Sequence, residues 1–313
     1  MEQDGMKYRL VTRSDFDGLV CGMLLKELDI IDEITFVHPK DMQDGLIAID
    51  DHDITTNLPY VQGVHLAFDH HFSETLRVGS QEKYIIEPEA KSAARVVYNY
   101  YGGQKTFSAI PQDLMAAVDK GDAAEFCRED VLQPQGWELL NFIMDARTGL
   151  GRFRTFRISN YQLMMELIDF CRNHTIEEIL ENPDVRERTD LYFEHQQAFN
   201  DQMKNCGRQE GCVLLMDLRD QDIIYAGNRF VKYALFPDCS ISIQVMWGFR
   251  GQNTVFTVGK SIFNRSCQLN IGELMLEYGG GGHANAGTCQ VDNEKADDVL
   301  KELLERVAAG CAG

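Results

Sequence analysis

Val64-His65-Leu66-Ala67-Phe68-Asp69-His70-His71 is an apolar run that ends abruptly on one carboxylate and two imidazoles. A short run of this content reads as a buried strand. An unpaired carboxylate buried at its tip costs several kcal/mol, so a cation or a network of donors is expected to meet Asp69 there. Satisfied structural histidines are the competing reading. Two other stretches weigh against it: Asp15-Phe16-Asp17-Gly18 behind an N-terminal strand, and Gly279-Gly280-Gly281-Gly282-His283 near the far end of the chain.

Working outward, Tyr8-Arg9-Leu10-Val11-Thr12 reads as a strand leading into the Asp15/Asp17 loop, and residues 19–28 as an apolar helix. Ile34-Thr35-Phe36-Val37 and Leu46-Ile47-Ala48-Ile49 read as further buried strands. Ser92 suits the N-cap of a helix over residues 93–101 that stops at Gly102-Gly103. Strands alternating with helices argue an α/β fold with a doubly wound, mostly parallel sheet, whose ligands bind at the strand C-termini. Asp15 and Asp69 both stand at such ends. Residues 160–208 are strongly helical, and strand signals return at 212–216, 240–247 and 253–258, followed by helices near 271–278 and 294–308. The expected division is therefore a first domain over 1–160, a helical connector over 161–208 and a smaller α/β domain over 209–313.

The 313 residues suffice for two cores, and 44% hydrophobic with 25% charged residues is ordinary globular composition. No stretch reaches the ~20 apolar residues of a membrane span, and residues 1–7 lack the basic-then-apolar order of a secretory signal. Nine cysteines without a Cys-x-x-Cys pair point to a reducing, cytoplasmic setting. A net charge of −19 argues against tracking of long nucleic acid, which demands a basic face. Small anionic substrates held through a metal remain compatible with it.

Asp15-x-Asp17 places two carboxylates on one loop, where alternate residues address neighbouring cations; an Asp-rich turn is the plain alternative. Asp119, behind the apolar Leu114-Met115-Ala116-Ala117-Val118, is a candidate for an interior site, and a solvated helix end explains Asp122 as well. The glycine run before His283 would cost about 0.5–1 kcal/mol per residue inside a helix. It reads instead as backbone amides brought up to an anion at a helix N-terminus. Gly259-Lys260-Ser261 resembles a P-loop tail, but Thr254 stands where that pattern needs glycine. Lys260, Asn264 and Arg265 are candidates for phosphate contact. Arg147, Arg152, Arg154 and Arg157 form the dense basic cluster, best read as a surface loop, with a substrate or subunit contact as the alternative.

These blocks resemble the DHH phosphoesterase family with its DHHA1 second domain: Asp15-Phe16-Asp17-Gly18 matches the first motif, Asp69-His70-His71 the third, Asp119 the fourth, and Gly280-Gly281-Gly282-His283 the second-domain signature. The resemblance implies a hydrolase of phosphate esters or anhydrides. It would use two manganese (or magnesium) ions, with a hydroxide held between them for in-line attack. It further implies that Asp15 serves one metal and that Asp17, His70 and Asp119 serve the other. Asp69 and His71 would orient the phosphate, and His283 with its glycines would hold the substrate's distal end. Two positions depart from the pattern. Arg13 stands where many members have a histidine, and a guanidinium cannot bind a metal. Asn57 stands where the second motif supplies a metal-bridging Asp; Asp50 or Asp53 would replace it in another register. The expected activity is cleavage of short linear oligonucleotides or dinucleotides to 5′-mononucleotides. Alternatives are a nucleoside 3′,5′-bisphosphate phosphatase or exopolyphosphatase, and, from another class, a degenerate nucleotide-binding sensor. No long nucleic acid or membrane is expected as partner, and subunit pairing through the helical connector stays open.

Overall fold

The protein is represented by a computed structural model that describes residues 7–153 and 155–311, without the side chains of Phe72, Ser73 and Cys311. Arg154 of the expected basic cluster lies outside these residues, as do residues 1–6 of the N-terminal stretch. The chain divides into two compact units: residues up to 125 with 134–191, and 126–133 with 192 onward. The division at 191/192 falls inside the long helix Pro183–Cys206.

The first unit is built on a five-stranded sheet of β1 (Tyr8–Arg13), β2 (Ile31–Val37), β3 (Asp53–Thr56), β4 (Leu66–Asp69) and β5 (Tyr84–Ile86), in the order β2-β1-β3-β4-β5. Every pairing is parallel, as expected for strands that read as unbroken apolar runs. The order reverses direction between β1 and β3, and loops leaving their C-terminal ends open a crevice where such sheets bind ligands. The helix Phe16–Glu27 follows β1 and buries every residue from Phe16 to Leu25. Its all-round apolar character marks a helix covered on all sides. Gly18 is needed there because a Cβ would fall 1.9 Å from the Arg13 carbonyl oxygen.

One expected strand does not form. Residues 46–49 run irregularly and the third strand is β3. Gly45 adopts a left-handed φ of 70° and breaks the run. Ile47 and Ile49 instead pack as loop residues against Val11, Met42 and Leu58, so their apolar character reflects burial without strand pairing.

The second unit carries a six-stranded sheet of β6 (Gly207–Glu210), β7 (Val213–Asp217), β8 (Ile241–Trp247), β9 (Thr254–Lys260), β10 (Gly281–His283) and β11 (Ala286–Val291), in the order β10-β11-β9-β8-β7-β6. Only β7 and β8 pair in parallel. Its core joins Ile243, Val245, Phe256 and Val258 to Ile271, Leu274 and Met275 of the helix Ile271–Leu276 and to Leu303 and Val307 of the helix Ala296–Cys311.

The glycine run departs from the expected place at a helix N-terminus. It follows a helix, not precedes one, and Gly281–His283 is a strand hydrogen-bonded to β11. The glycines serve close backbone packing: a Cβ on Gly280 would lie 2.1 Å from the Thr288 carbonyl, and one on Gly282 2.3 Å from that of Ala286.

Candidate active site

Four segments of the first unit bring ionisable groups together at the C-terminal ends of β1, β3 and β4. Asp15, two residues beyond β1, is the N-cap of the helix Phe16–Glu27, its side chain accepting from the Gly18 amide at 2.9 Å. Two residues on, Asp17 is buried, and its carboxylate accepts from the amides of Ala93 (2.9 Å) and Ala94 (2.8 Å). Those amides open the helix Ala93–Tyr100, so Asp17 meets the positive end of a helix dipole. Burial, Asp122 and Asp15 push the Asp17 carboxyl up, and His70 only partly opposes them.

At the tip of β4 the opening tripeptide divides its labour. Asp69 is fully buried and saturated with donors. One oxygen accepts from the His70 amide (2.8 Å), the His71 amide (3.3 Å) and His71 Nδ1 (2.6 Å); the other accepts from the Tyr84 hydroxyl at 2.9 Å. A carboxylate with this many donors has little left for a cation, so Asp69 orients its neighbours. Burial works against protonation of His71, but the Asp69 carboxylate outweighs it and raises the imidazole. Replacing Tyr84 by Phe removes one of these donors. It is expected to lower unfolding free energy by about 1–3 kcal/mol in urea titrations, without changing metal content.

His70 faces the other way. Its Nδ1 lies 3.1 Å from the Ala90 carbonyl, which can only accept, so Nδ1–H is the donor and Nε2 faces Asp122. Nε2 sits 2.9 Å from Asp122 Oδ2, yet it is buried without a hydrogen-bond partner, so the two are close but not aligned as donor and acceptor. Asp17, His70 and Asp122 together offer three ligand atoms within 4.8 Å of one another. A neutral imidazole and two carboxylates are a donor set suited to a hard-to-borderline divalent cation. Asp122 keeps 24% of its side-chain surface accessible, which leaves the cluster an open side. Without a cation, burial lowers the His70 imidazole, but Asp122, Asp17 and Asp69 outweigh it and raise it to about 9.

Asp119, the fourth-motif residue expected as a ligand, does not join this cluster. Its carboxylate is held by Arg95 Nη2 (2.6 Å) and Nε (2.9 Å) and by the Ser92 hydroxyl (2.8 Å). Ser92 caps the helix whose first amides hold Asp17, accepting from the Arg95 amide at 3.0 Å. Asp119 therefore supports the helix end that positions Asp17, and Asp122, one turn later, supplies the carboxylate facing the cluster.

Asp15 is not one of the three converging groups, although its charge reaches Asp17 and Asp122. Arg13 Nε lies 2.9 Å from its Oδ2, and Asn57 Nδ2 lies 3.3 Å from Oδ1. Asn57 follows β3 in a left-handed conformation (φ 56°), which Asn tolerates better than most residues. Asp53 starts β3 at the opposite end and pairs with Arg9 at 2.6 Å, while Asp50 accepts from the His52 amide. Neither takes the second-motif position. Of the basic cluster, Arg147 is tied to Asp145 at 2.7 Å, and its charge reaches Asp15 and Asp122. Arg157 is committed to Asp184.

In the second unit, Lys260 ends β9, and its amide donates to the Asn285 carbonyl at 2.9 Å, in the turn that follows the exposed His283. Gly281, Gly282 and His283 thus share one end of the sheet with Lys260. Arg265 belongs to the loop beyond β9, its Nε donating to the Ile262 carbonyl at 3.1 Å. Lys232 of the helix Val231–Leu235, overlooked in the sequence, is buried, and burial with nearby Arg229 lowers its amine to about 8.

No protein-family model and no curated protein matches the chain. Among solved structures it is similar to the pGpG-specific phosphodiesterase PggH from Vibrio cholerae, with 57% identity over 97% of this chain and 100% of that one and a TM-score of 0.83. An exopolyphosphatase-related protein from Bacteroides fragilis, at 14% identity over 96% of this chain and 92% of that one, shares the fold with a TM-score of 0.55.

Proposed function

Because the chain belongs to the DHH phosphoesterase family, we propose that it hydrolyses a linear dinucleotide, pGpG or a near analogue, to two 5′-mononucleotides. The observation that carries this reading is the 57% identity to PggH over nearly the full length of both chains. The 14% identity to the exopolyphosphatase-related protein supports the fold alone.

In this reading Asp17, His70 and Asp122 hold a divalent cation, manganese or magnesium. When bound, that ion supplies Lewis-acid charge and an acidified water for in-line attack on phosphorus. The remaining work falls to the chain's own groups. The Ala93 and Ala94 amides keep Asp17 in place, and Ala90 keeps His70 in one tautomer. His71, with Nδ1–H committed to Asp69, presents Nε2 to the phosphodiester as the atom that exchanges a proton with the departing 3′-oxygen. Water oxygen bonds to phosphorus and gives up a proton, the P–O3′ bond breaks, and the 3′-oxygen leaves with the proton of His71 Nε2–H, which the water's proton then replaces. Arg147 offsets charge on the phosphate side. Lys260, Arg265 and the Gly280–His283 segment are kept as the substrate-phosphate contacts of the second unit. The location fitting this substrate is the cytoplasm; among the described residues no helix is long and apolar enough to cross a membrane.

The test compares product release from pGpG, a 3′,5′-bisphosphate nucleotide and polyphosphate, each with Mn2+. The expected result is preference for pGpG by at least about a hundredfold in kcat/KM, a difference of about 2.7 kcal/mol in transition-state stabilisation. Equal or faster turnover of polyphosphate or the bisphosphate, or tight pGpG binding without turnover in any divalent metal, overturns the reading.

A further inference from the structure

The family pattern calls for a second cation on the Asp15 side, and the residues present there do not fit one. Asp15 Oδ1 is taken by the Gly18 amide at 2.9 Å and by Asn57 Nδ2 at 3.3 Å, while Oδ2 faces the Arg13 guanidinium at 2.9 Å. Asn57 turns its N–H2 group, which has no lone pair to give, toward Asp15. Its Oδ1 is consequently turned away, buried and without a donor. For Asp15 and Asn57 to ligate one ion the amide would have to reverse. Arg13 would also have to leave Asp15 Oδ2.

Charge points the same way. Arg in place of a neutral histidine adds one positive charge, and Asn in place of a bridging Asp removes one negative charge. Together the two departures raise the formal charge on this side by two, which is the charge of the ion they displace. Arg13 is also suited to more than neutralisation. Its side chain keeps 30% of its surface accessible, and among the described residues its Nη groups have no protein acceptor. A guanidinium ion-paired at Nε, with its Nη fork open, binds a phosphate oxygen pair in a plane.

We propose that the protein works with one divalent cation, at Asp17, His70 and Asp122, and that Arg13, anchored by Asp15, takes the place of the second by binding the non-bridging oxygens of the scissile phosphodiester. This rests on the metallophosphodiesterase reading above and specifies its metal count and its phosphate-binding residue. It makes Arg13 and Asn57 a matched pair, both set against Asp15. Restoring only one member of the family pattern therefore leaves an incomplete ligand set.

The test is metal stoichiometry of the full chain by elemental analysis and manganese titration. It is run with and without a non-hydrolysable phosphorothioate dinucleotide, and electron paramagnetic resonance reads whether the ions are coupled. Wild type is expected to hold one Mn2+ per chain in both conditions, with the signal of an isolated ion. The double variant Arg13→His/Asn57→Asp is expected to hold two, with an exchange-coupled signal. Arg13→Lys keeps the charge but not the fork, and is expected to stay at one ion while KM for the dinucleotide rises about tenfold or more. A wild-type ratio of two that falls to one in Asp15→Asn overturns the inference and leaves the proposed function standing. A double variant that folds by thermal melt yet stays at one ion overturns it too. No bound metal at all, with pGpG still hydrolysed, overturns the metal reading beneath it.

Discussion

Asp122→Asn is expected to lower turnover of pGpG at saturating Mn2+ by about a thousandfold or more, about 4 kcal/mol of transition-state stabilisation, and to release the tightly held ion. Asp119→Asn is expected to cost far less, about tenfold to a hundredfold, with the ion retained. The contrast follows from where the two carboxylates point. Asp122 lies 2.9 Å from His70 Nε2 and completes the cluster with Asp17. Asp119 is bound to Arg95 and Ser92 and acts on the site only through the helix end that holds Asp17. Its loss leaves Arg95 without its carboxylate and should show as a fall of about 1–2 kcal/mol in unfolding free energy. Steady-state kinetics, metal analysis and urea denaturation on the two variants separate these effects. If Asp119→Asn were the variant that lost the ion, the geometry of the cluster would be wrong.

Metal binding is expected to depend steeply on pH, and the metal-free protein to respond in the opposite sense. In the metal-free chain His70 is held protonated up to about 9 by Asp122, Asp17 and Asp69 against its burial. A cation must displace that proton to reach Nε2. Between pH 6.5 and 9 the apparent Mn2+ affinity should therefore rise by about tenfold per pH unit, with about one proton released per ion from this group. The folded pKa lies above the unfolded value of about 6.5. The imidazolium–carboxylate contact thus contributes fully to stability below about 6.5 and is lost as pH rises through about 9. The raised Asp17 carboxyl acts in the same direction. Calorimetric titrations in buffers of different ionisation enthalpy read the proton. Melting temperatures of chelator-treated protein across this range should fall with pH, while those of Mn2+-loaded protein should not. Chelation at pH 8 is expected to remove turnover and Mn2+ to restore it.

Much of this site was legible in the amino-acid sequence, and the part that was not has a physical reason. Asp15, Asp17 and Asp69 declare themselves because each follows a short apolar run, and in a parallel sheet the ends of such runs converge at one edge. Asp69 was readable as buried but not as satisfied, because Tyr84, its hydroxyl donor, arrives from the neighbouring strand. The choice between Asp119 and Asp122 is a matter of helix phase. Leu114, Met115, Ala117 and Val118 are the buried residues of the helix Gln112–Asp122. Asp122, eight residues after Leu114 and four after Val118, continues that stripe, and Asp119 falls at its edge. The candidates Asp50, Asp53 and Asn57 could not be separated without the register of β3, which sets Arg9 opposite Asp53 and Thr12 opposite Thr56 and so carries Asn57 to the end where Asp15 lies. The glycine run could not be placed after a helix and not before one, because glycines have no side-chain period. A hairpin strand packed tightly on a helix and an anion-binding loop look alike in letters.

The central claim, a single cation held by Asp17, His70 and Asp122, is tested most directly by crystals of the Mn2+-loaded protein measured at the manganese absorption edge. The prediction is one anomalous peak per chain, within about 2.0–2.3 Å of Asp17, His70 Nε2 and Asp122, with Arg13 still on Asp15. A peak on the Asp69-His70-His71 side, a ligand set including Asp119, or a second peak between Asp15 and Asn57 would contradict it.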